Sequence, residues 1–289
     1  MKKMKKAAIT GANTGIGYET ALQLAKENFQ VIMLCRSKEK GEKAQKEIIE
    51  KSGNKYVELI VVDLASLKSI QQAAEKMMTH YPAIDVLINN AGVFSLKKEY
   101  TVDGFEKMIG VNYIGHFYLT KLLIPLLKKV ERARIVVVSS NAYKMVHFDL
   151  SDLQPESRFS IAGNYGRSKL MTLLFAKELS KRLEDTNITV NLLHPGAVAT
   201  SMGVNRKTGF GKTVYKFLKP FFKTPKEGAQ TSIYLATSEE VKDSTGQFFI
   251  DSKPAPIKGL GKDEGLARQL FEQTDQLVIE KCKILKNSE

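Results

Sequence analysis

Short apolar runs alternate with longer amphipathic stretches along almost the whole chain, and this alternation restricts the fold more than any other feature of the sequence. The apolar runs are rich in β-branched residues and mostly uninterrupted, which is typical of strands buried on both faces of a parallel sheet. Amphipathic helices between such strands cover the two faces. The sequence therefore predicts an α/β fold of the Rossmann type, a doubly wound parallel seven-stranded sheet with helices on both faces.

The predicted elements follow one another without a linker, so we expect a single domain over residues 1–289. The predicted strands are 6–10, 30–36, 57–64, 85–92, 134–140, 188–196 and 246–251. The predicted helices are about 15–28, 38–51, 67–79, 103–129, 164–184, 226–237 and 263–282. Residues 197–225 are rich in Gly, Lys and aromatic side chains, show the least regular pattern, and are predicted to form a mobile loop or lid.

The net charge of the chain, +13 from 44 Lys and Arg against 31 Asp and Glu, is compatible with two kinds of partner. One interpretation is binding to nucleic acid or to an anionic membrane. The other is a lysine-rich surface that also attracts an anionic cofactor. We favour the second, because the lysines are spread along the sequence and no basic motif is interleaved with aromatic residues. We therefore expect no nucleic-acid partner.

Several features of the sequence argue against secretion, membrane insertion and metal binding. The two cysteines, Cys35 and Cys282, are far apart, which implies no disulfide framework and fits a reducing compartment. No apolar stretch reaches the roughly 18 residues that span a bilayer, and a Gly-rich turn stands where a signal peptide would have its apolar core. His116 and His147 accompany no carboxylate cluster, so both are interpreted as structural residues. We expect a cytoplasmic protein without a metal.

The stretch TGANTGIG directly follows the first predicted strand and opens the first predicted helix. Glycines let the backbone approach a pyrophosphate closely, and the helix N-terminus supplies N–H donors and the positive end of its dipole. The spacing is GxxxGxG, which differs from the GxGxxG fingerprint, and an ordinary strand-to-helix turn is the alternative. The predicted cofactor-binding residues of this turn are Gly11, Asn13, Thr14, Gly15, Ile16 and Gly17.

Polar residues also stand at the carboxyl ends of the second, third and fourth predicted strands. Arg36 stands where an NAD-selective site has a carboxylate, and its guanidinium can pair with the 2′-phosphate of NADP. The alternative for Arg36 is the start of a solvated helix. Asp63 can accept a hydrogen bond from an adenine amino group or cap a turn, and the sequence NNAG suits either close backbone approach to a ligand or plain turn chemistry. The predicted cofactor-binding residues here are Arg36, Asp63, Leu64, Asn90, Ala91 and Gly92.

In the stretch NYGRSK, Tyr165 and Lys169 stand four residues apart, so they share one face of a predicted helix. A cation beside a phenol favours the phenolate and lowers the pKa of the tyrosine. Taken alone, the stretch favours the plainer interpretation, an exposed pair on an amphipathic helix.

The motifs TGANTGIG, NNAG, VSS, YGRSK and HPG occur in the order that is typical of the short-chain dehydrogenase/reductase family, and the resemblance covers essentially the whole chain. The dipeptide CR after the second strand, together with EGAQTSIYLATS and TGQFFID, resembles the retinol-dehydrogenase-like branch. The segment KMVHFDLSDLQPESRF resembles an insertion of the same branch. Membrane-bound members of that branch carry an N-terminal anchor without a counterpart here. We therefore expect no transmembrane segment and at most weak peripheral membrane contact.

The resemblance implies a set of catalytic residues. It implies that Tyr165 is the general acid/base and that Lys169 assists it and binds the nicotinamide ribose. It also implies that Ser140 orients the carbonyl or alcohol, and that Asn112 supports a water relay to the lysine. The residues implied in the cofactor pocket around the nicotinamide are Asn90, Tyr165, Lys169, Pro195, Gly196, Val198 and Thr200.

The resemblance implies an NADP(H)-dependent oxidoreductase, with NAD(H) as a second option, that transfers a hydride between nicotinamide and a carbonyl or alcohol. Residues 1–140 are expected mainly to bind the cofactor, and residues 141–289 mainly to serve catalysis and the substrate. In such a fold the substrate lies beyond the carboxyl ends of the strands. Its expected walls are mainly apolar, so we expect a mainly apolar small-molecule substrate. The apolar side chains of these walls are Val93, Phe94, Met145, Val146, Phe148, Met202, Phe210 and Phe217.

Three alternatives stay open at this point. The same chain could bind NADPH as a redox sensor without turnover, although a sensor has no need of a proton relay. The stretch KTVYKFLKPFFKT could close over the substrate, which we favour, or lie on a membrane surface. The family commonly pairs its subunits through the helices predicted at 103–129 and 164–184, which makes a homodimer an expectation. The apolar stripe of TLLFAKELSKRL could equally serve only the core.

Overall fold

The computed structural model describes residues 4–153, 159–198 and 223–287, and their strands form one sheet. The strands are β1 Lys6–Thr10, β2 Gln30–Cys35, β3 Val57–Val61, β4 Val86–Asn89, β5 Ala133–Val138, β6 Ile188–His194, β7 Phe248–Ile250 and β8 Lys253–Pro254. Strands β1 to β7 pair in parallel, which confirms the predicted doubly wound sheet. The antiparallel strand β8 was not predicted, because two residues that include a proline form no alternating pattern.

The helices between the strands lie close to their predicted bounds. They are α1 Gly15–Lys26, α2 Lys38–Ser52, α3 Leu67–His80, α4 Gly115–Leu127, α5 Ile161–Arg182, α6 Pro225–Thr237 and α7 Glu264–Asn287. A short helical turn, Lys107–Ile109, and a π-helical turn, Gly110–Ile114, lead into α4, where the sequence predicted one continuous helix. None of the helices in the described part of the chain is both long and apolar enough to cross a bilayer.

The order of the strands places a crevice in the middle of the sheet. Across the sheet the order is β3-β2-β1-β4-β5-β6-β7-β8, so the chain runs outward from β1 to β3 and then returns to β4 on the other side of β1. Ile9 of β1 pairs with Ile88 of β4, so the two strands end side by side. Connections leave this point in opposite directions, and ligands of doubly wound folds bind in the crevice that results.

Both faces of the sheet are covered, because neighbouring residues of a strand point to opposite sides. In β1, Ala8 packs into the layer that contains α3, α4, α5 and α7, whereas Ala7 and Ile9 pack into the layer that contains α1, α2 and α6. All three side chains are fully buried. The near-continuous apolar runs that predicted the strands are explained by this double coverage.

The C-terminal helix α7 braces α4 and α5. The ring of Phe271 on α7 lies 4.9 Å from that of Phe117 on α4 and 6.1 Å from that of Phe175 on α5, measured between centroids. The hydroxyl oxygens of Tyr113 and Thr274 are 2.7 Å apart. Phe175 belongs to the stripe TLLFAKELSKRL, so the chain's own core accounts for this stripe. The homodimer therefore stays a prediction without support from the stripe.

Replacing Phe271 by alanine is expected to lower the free energy of unfolding by about 3–5 kcal/mol, because a nearly buried ring is lost from the contact of three helices. Urea unfolding followed by far-UV circular dichroism measures this loss. Ile279→Ala on the same helix is the matched control: this side chain is 46% exposed, and its loss should cost less than about 1 kcal/mol. Equal losses in the two variants would contradict the bracing role of α7.

Candidate active site

The Gly-rich turn between β1 and α1 folds tightly on itself. Gly11 has a φ of +67°, which favours glycine. A Cβ atom at Gly17 would lie 2.4 Å from both the carbonyl oxygen of Gly11 and Nδ2 of Asn90. Any side chain at this position would therefore push the turn away from the end of β4.

The N-terminus of α1 meets the requirements of an anion site. Thr14 precedes α1, and its side chain makes no capping hydrogen bond. Ser37 and Ser66, in contrast, cap α2 and α3 by accepting from Lys40 N and Ser69 N. A helix N-terminus without a side-chain cap beside a glycine turn offers N–H groups and a positive dipole end to a phosphate. The residues present at this point fit the pyrophosphate of a dinucleotide.

Hydrogen bonds join the turn after β1 to the turn after β4. The backbone N–H groups of Asn90 and Ala91 both donate to Thr10 Oγ1 over 2.9 Å. Asn90 Nδ2 also donates to the carbonyl oxygen of Thr10 over 2.8 Å. The structure thus brings the predicted residues Gly11, Asn90 and Ala91 together at the central crevice, with Gly92 following in the same segment.

The residues after β2 and β3 lie at the same edge of the sheet. Arg36 is exposed directly after β2, where a phosphate in solvent could reach it. Asp63 Oδ1 accepts a hydrogen bond from Ala65 N over 3.0 Å, so this residue stabilises a turn, and its contact with adenine stays a prediction. Leu64 is buried, and a Cβ atom at Gly115 would lie 2.4 Å from its carbonyl oxygen. The close packing of α4 against this segment fixes its position.

Ser140, Tyr165 and Lys169 meet beyond the carboxyl end of β5. The side chain of Ser140 lies close enough to the phenol of Tyr165 to lower its pKa. Lys169 lies one turn further along α5, with Nζ 5.8 Å from the centroid of the Tyr165 ring. Lys169 Nζ donates to the carbonyl oxygen of Val138 over 3.1 Å. The pair that the sequence placed on one helix face is therefore at the end of the sheet and inside the crevice.

Asn112 lies in the π-helical turn before α4 and connects two segments of the site. Its Oδ1 accepts from Val93 N over 2.7 Å, and its Nδ2 donates to the carbonyl oxygen of Val93 over 3.0 Å. Nδ2 is also 3.0 Å from Ser168 Oγ on α5. Asn112 thus holds the segment after β4 against the helix that carries Tyr165 and Lys169. π-Helical turns are frequent at functional sites.

Burial acts on both titratable groups of the pair. It lowers the pKa of Lys169 from 10.5 to about 8. It raises the pKa of Tyr165, and the neighbouring Ser140 offsets only part of this effect. The lowering of the Tyr165 pKa by Lys169, expected from the sequence, is not seen here, because the ammonium donates to Val138 and burial dominates. The phenol of Tyr165 is therefore protonated at neutral pH.

The segment after β6 forms the far side of the crevice. Pro195 and Gly196 follow His194 there, and Val198 pairs with Lys223, whose N–H donates to the carbonyl oxygen of Ala197 over 2.8 Å. His194 Nδ1 is buried without a hydrogen-bond partner among the described residues, which leaves a polar atom for a ligand to satisfy. Thr200 and nearly all of the predicted lid 197–225 lie outside the described residues.

Of the predicted substrate walls, the structure shows Phe94 in contact with Tyr165. The ring of Phe94 meets the Tyr165 ring edge to face, with centroids 5.2 Å apart. Val93 and Val146 are partly buried and Phe148 is buried. The remaining predicted wall residues, which are the side chain of Met145 and residues Met202, Phe210 and Phe217, lie outside the described part of the chain.

Sequence reasoning missed Thr10 and Ser168, and it interpreted His116 only as a structural residue. The signals were weak: Thr10 is the first residue of TGANTGIG, Ser168 lies inside YGRSK, and His116 follows VNYIG. Cys35 is buried beside the Gly-rich turn, and burial raises the pKa of its thiol to about 11. Among the described residues, no group of three His, Cys, Asp or Glu side chains is placed to hold a metal ion.

Known proteins resemble this chain over most of its length. A family model described as short chain dehydrogenase matches residues 5–209. Human retinol dehydrogenase 14 is 43% identical over 289 residues, which cover 95% of this chain and 86% of the relative. Mouse retinol dehydrogenase 13 is 42% identical over 281 residues, which cover 95% of this chain and 84% of the relative.

Solved structures share the fold. An uncharacterised protein of Mycobacterium paratuberculosis is 32% identical with a TM-score of 0.76, and the match covers 95% of this chain and 93% of that one. A short chain dehydrogenase of Shigella flexneri, crystallised with NADP, is 25% identical with a TM-score of 0.67, and the match covers 86% of this chain and 97% of that one.

Replacing Lys169 by methionine is expected to stabilise the protein, because a buried ammonium is removed. The lowering of its pKa from 10.5 to about 8 corresponds to about 3 kcal/mol. The gain is largest below pH 8 and vanishes towards pH 10.5, since over this range the native lysine loses a proton that the unfolded chain still binds.

Urea unfolding at neutral and at alkaline pH measures this difference. The matched control is Lys181→Met, an exposed lysine on the same helix, which should change stability by at most about 1 kcal/mol at either pH. The prediction is wrong if Lys169→Met gives no gain at neutral pH, or a gain that does not depend on pH.

Proposed function

The chain belongs to the short-chain dehydrogenase/reductase family and resembles its retinol dehydrogenases, and from this membership we propose that it is an NADP(H)-dependent oxidoreductase of mainly apolar carbonyl or alcohol substrates with Tyr165 as general acid/base. The observation that carries the proposal is the position of Lys169 Nζ, 5.8 Å from the centroid of the Tyr165 ring and one helical turn away, with Ser140 close to the same phenol. The coarser statement, that the chain is an NAD(P)-dependent oxidoreductase acting on alcohol or carbonyl groups, follows from its family alone.

The proposed proton donor in carbonyl reduction is the phenol of Tyr165. Burial keeps this phenol protonated at neutral pH, so a proton is ready for the carbonyl oxygen as negative charge develops there. The hydroxyl of Ser140 donates a hydrogen bond to the same oxygen, in the manner of an oxyanion site. Lys169 stabilises the phenolate that remains, because an opposite charge nearby favours the ionised form. When bound, the nicotinamide supplies or accepts the hydride.

The proposed cofactor contacts follow the ends of the strands. The Gly-rich turn and the N-terminus of α1 bind the pyrophosphate, and the NNAG turn supports the part of the crevice between β1 and β4. Asp63 and Leu64 flank the adenine, while Pro195, Gly196, Val198 and Thr200 flank the nicotinamide. On this proposal residues 1–140 mainly bind the cofactor, and residues 141–289 mainly serve catalysis and the substrate.

NADP is the proposed cofactor because Arg36, and no carboxylate, follows β2. A planar guanidinium can donate two hydrogen bonds to the 2′-phosphate. Two structurally similar proteins support the choice: the Shigella flexneri short chain dehydrogenase was crystallised with NADP, and one from Escherichia coli CFT073, 25% identical with a TM-score of 0.69, with NADPH.

The proposed substrate class rests on the apolar surroundings of Tyr165. Phe94 lies against the phenol, and Val93, Val146 and Phe148 belong to the predicted walls on the same side. Several relatives are named retinol dehydrogenases, and retinol is an apolar alcohol, which agrees with this lining. Ser140 and Tyr165 are the proposed hydrogen-bond partners of the carbonyl or alcohol oxygen. The rest of the substrate is therefore expected to be bound by apolar contacts.

Replacing Tyr165 by phenylalanine is expected to lower kcat for carbonyl reduction by roughly 10²–10⁴-fold, because the general acid is lost. Affinity for NADPH should stay nearly unchanged, since the ring is retained. Steady-state rates with NADPH and a panel of aldehydes and ketones measure the first effect, and NADPH fluorescence titration measures the second.

The matched control is Tyr100→Phe, which removes a phenol that is 52% exposed and should leave both quantities unchanged. If the wild-type protein binds NADPH and turns over no member of the panel, the proposal fails and a redox sensor without turnover takes its place. No described feature favours such a sensor.

Replacing Arg36 by aspartate is expected to move the cofactor preference from NADP towards NAD, because a carboxylate repels the 2′-phosphate and accepts from ribose hydroxyls. The ratio of kcat/KM for NADPH and NADH measures the preference. Lys46→Asp changes the charge equally on the exposed side of α2 and should leave the ratio unchanged. A wild-type protein that uses both cofactors equally would contradict the proposed role of Arg36.

A further inference from the structure

His116, the second residue of α4, is 2% exposed and lies between the two turns that surround the crevice. Its Nε2 is 2.9 Å from Thr10 Oγ1 at the end of β1. Its Nδ1 is 3.2 Å from the carbonyl oxygen of Asn112 in the π-helical turn. One imidazole therefore touches both a residue that holds the NNAG turn and a residue of the proposed catalytic set.

The hydrogen bonds of Thr10 determine which nitrogen of His116 carries the proton. Thr10 Oγ1 accepts from the N–H groups of Asn90 and Ala91, and these two bonds occupy both of its lone pairs. The hydroxyl can then only donate, and Nε2 of His116 is its nearer acceptor, since the carbonyl oxygen of Ile88 is 3.4 Å away. Nε2 must therefore be unprotonated, and in a neutral ring the proton is on Nδ1.

The proton on Nδ1 points to the carbonyl oxygen of Asn112. Thr172 Oγ1 is also 3.1 Å from that oxygen, but its single proton has a closer acceptor, the carbonyl oxygen of Ser168 at 2.7 Å. The carbonyl oxygen of Asn112 is thus within reach of two side-chain donors, and His116 is the one without a second, shorter hydrogen bond. Burial and, to a smaller extent, the charge of Lys169 lower the pKa of His116 to about 4, so the ring is neutral at neutral pH.

We propose that His116 is a positioning residue that, as the Nδ1–H tautomer, binds Thr10 and Asn112 at once and so fixes the cofactor turn of β4 relative to the helix that carries Tyr165. The inference rests on the proposed function, because it assigns a purpose to the positions of Asn90 and Asn112. His116 itself does not touch the reacting atoms; it acts through its two partners.

The two hydrogen bonds serve different halves of the site. The bond to Thr10 orients the hydroxyl that receives both N–H groups of the NNAG turn, so its loss loosens the cofactor crevice. The bond to Asn112 supports the backbone of the residue whose amide holds Ser168 and the segment after β4. Loss of the bond to Asn112 displaces α5 and the proposed catalytic groups, while the NNAG turn keeps its hydrogen bonds to Thr10.

The first test is the tautomer of His116, measured by ¹⁵N NMR of the imidazoles in the wild-type protein without cofactor. The chain has four histidines, so the assignment is tractable. We expect the pattern of a neutral ring with a protonated Nδ1. A ring protonated at Nε2 would overturn the inference, because Thr10 would then have to accept a third hydrogen bond. This readout does not depend on activity, so it separates failure of the inference from failure of the proposed function.

The second test uses two substitutions that each keep one hydrogen bond. In His116→Asn the amide NH₂ replaces Nδ1 and can still donate to Asn112, but the side chain no longer reaches Thr10. In His116→Gln the amide oxygen replaces Nε2 and can still accept from Thr10. We expect His116→Asn to raise the NADPH dissociation constant about tenfold with little change in kcat, and His116→Gln to lower kcat about tenfold with little change in NADPH affinity.

His80 supplies the matched controls. It lies on α3, is exposed, and its Nδ1 contacts the carbonyl oxygen of Lys76 four residues earlier, as Nδ1 of His116 contacts Asn112. His80→Asn and His80→Gln should change neither quantity. A merely structural role predicts that both His116 variants alter affinity and kcat in parallel, and that result, or no effect in either variant, would overturn the inference.

Discussion

The hydroxyl of Thr10 is the contact on which the rest of the site depends. It receives two backbone N–H groups from the turn after β4, and Asn90 returns a third bond to the Thr10 carbonyl. β1 and β4 are the central strands, so these bonds set the width of the crevice where their connections diverge. Without them, the partly buried N–H group of Ala91 would lack its acceptor, at a cost of about 1–3 kcal/mol. Gly17 completes the arrangement, because any side chain there would collide with Asn90.

From Thr10, hydrogen-bonded polar side chains continue into the core. Apolar side chains would cost less free energy to bury there. His116 extends the bonds of Thr10 to Asn112, and Asn112 extends them to Ser168 on α5. Lys169, on the same helix, is buried with the carbonyl oxygen of Val138 as acceptor. Such networks are rigid only when every member is satisfied. The network therefore fixes the position of the helix that carries Tyr165 relative to the sheet. Burying its polar groups costs free energy, which the surrounding apolar core offsets.

The sequence allowed the fold and most of the site to be predicted, because both depend on local patterns. Apolar runs marked the strands, and the spacing of Tyr165 and Lys169 placed them on one helix face. The acceptor of Lys169 could not be predicted, since Val138 lies 31 residues away and offers only its backbone. Nor could the π-helical turn at Asn112, which has no propensity signal. An amphipathic stripe shows that a helix buries a face but not what covers it, so the packing of Phe271 against α4 and α5 also required the structure.

Burial gives the two groups of the proposed acid/base pair opposite roles. It favours the neutral form of both, so it holds the proton on Tyr165 and weakens the hold of Lys169 on its own proton. Transfer of the phenolic proton to a carbonyl oxygen leaves an anion in the same low-dielectric crevice, and a cation within reach then stabilises it far more than it would in water. The ammonium of Lys169 lies one turn away and bonds only a backbone carbonyl among the described residues. Burial of Lys169 lowers the stability of the resting protein, and the charge of this lysine is thus placed to stabilise the phenolate that forms when Tyr165 ionises.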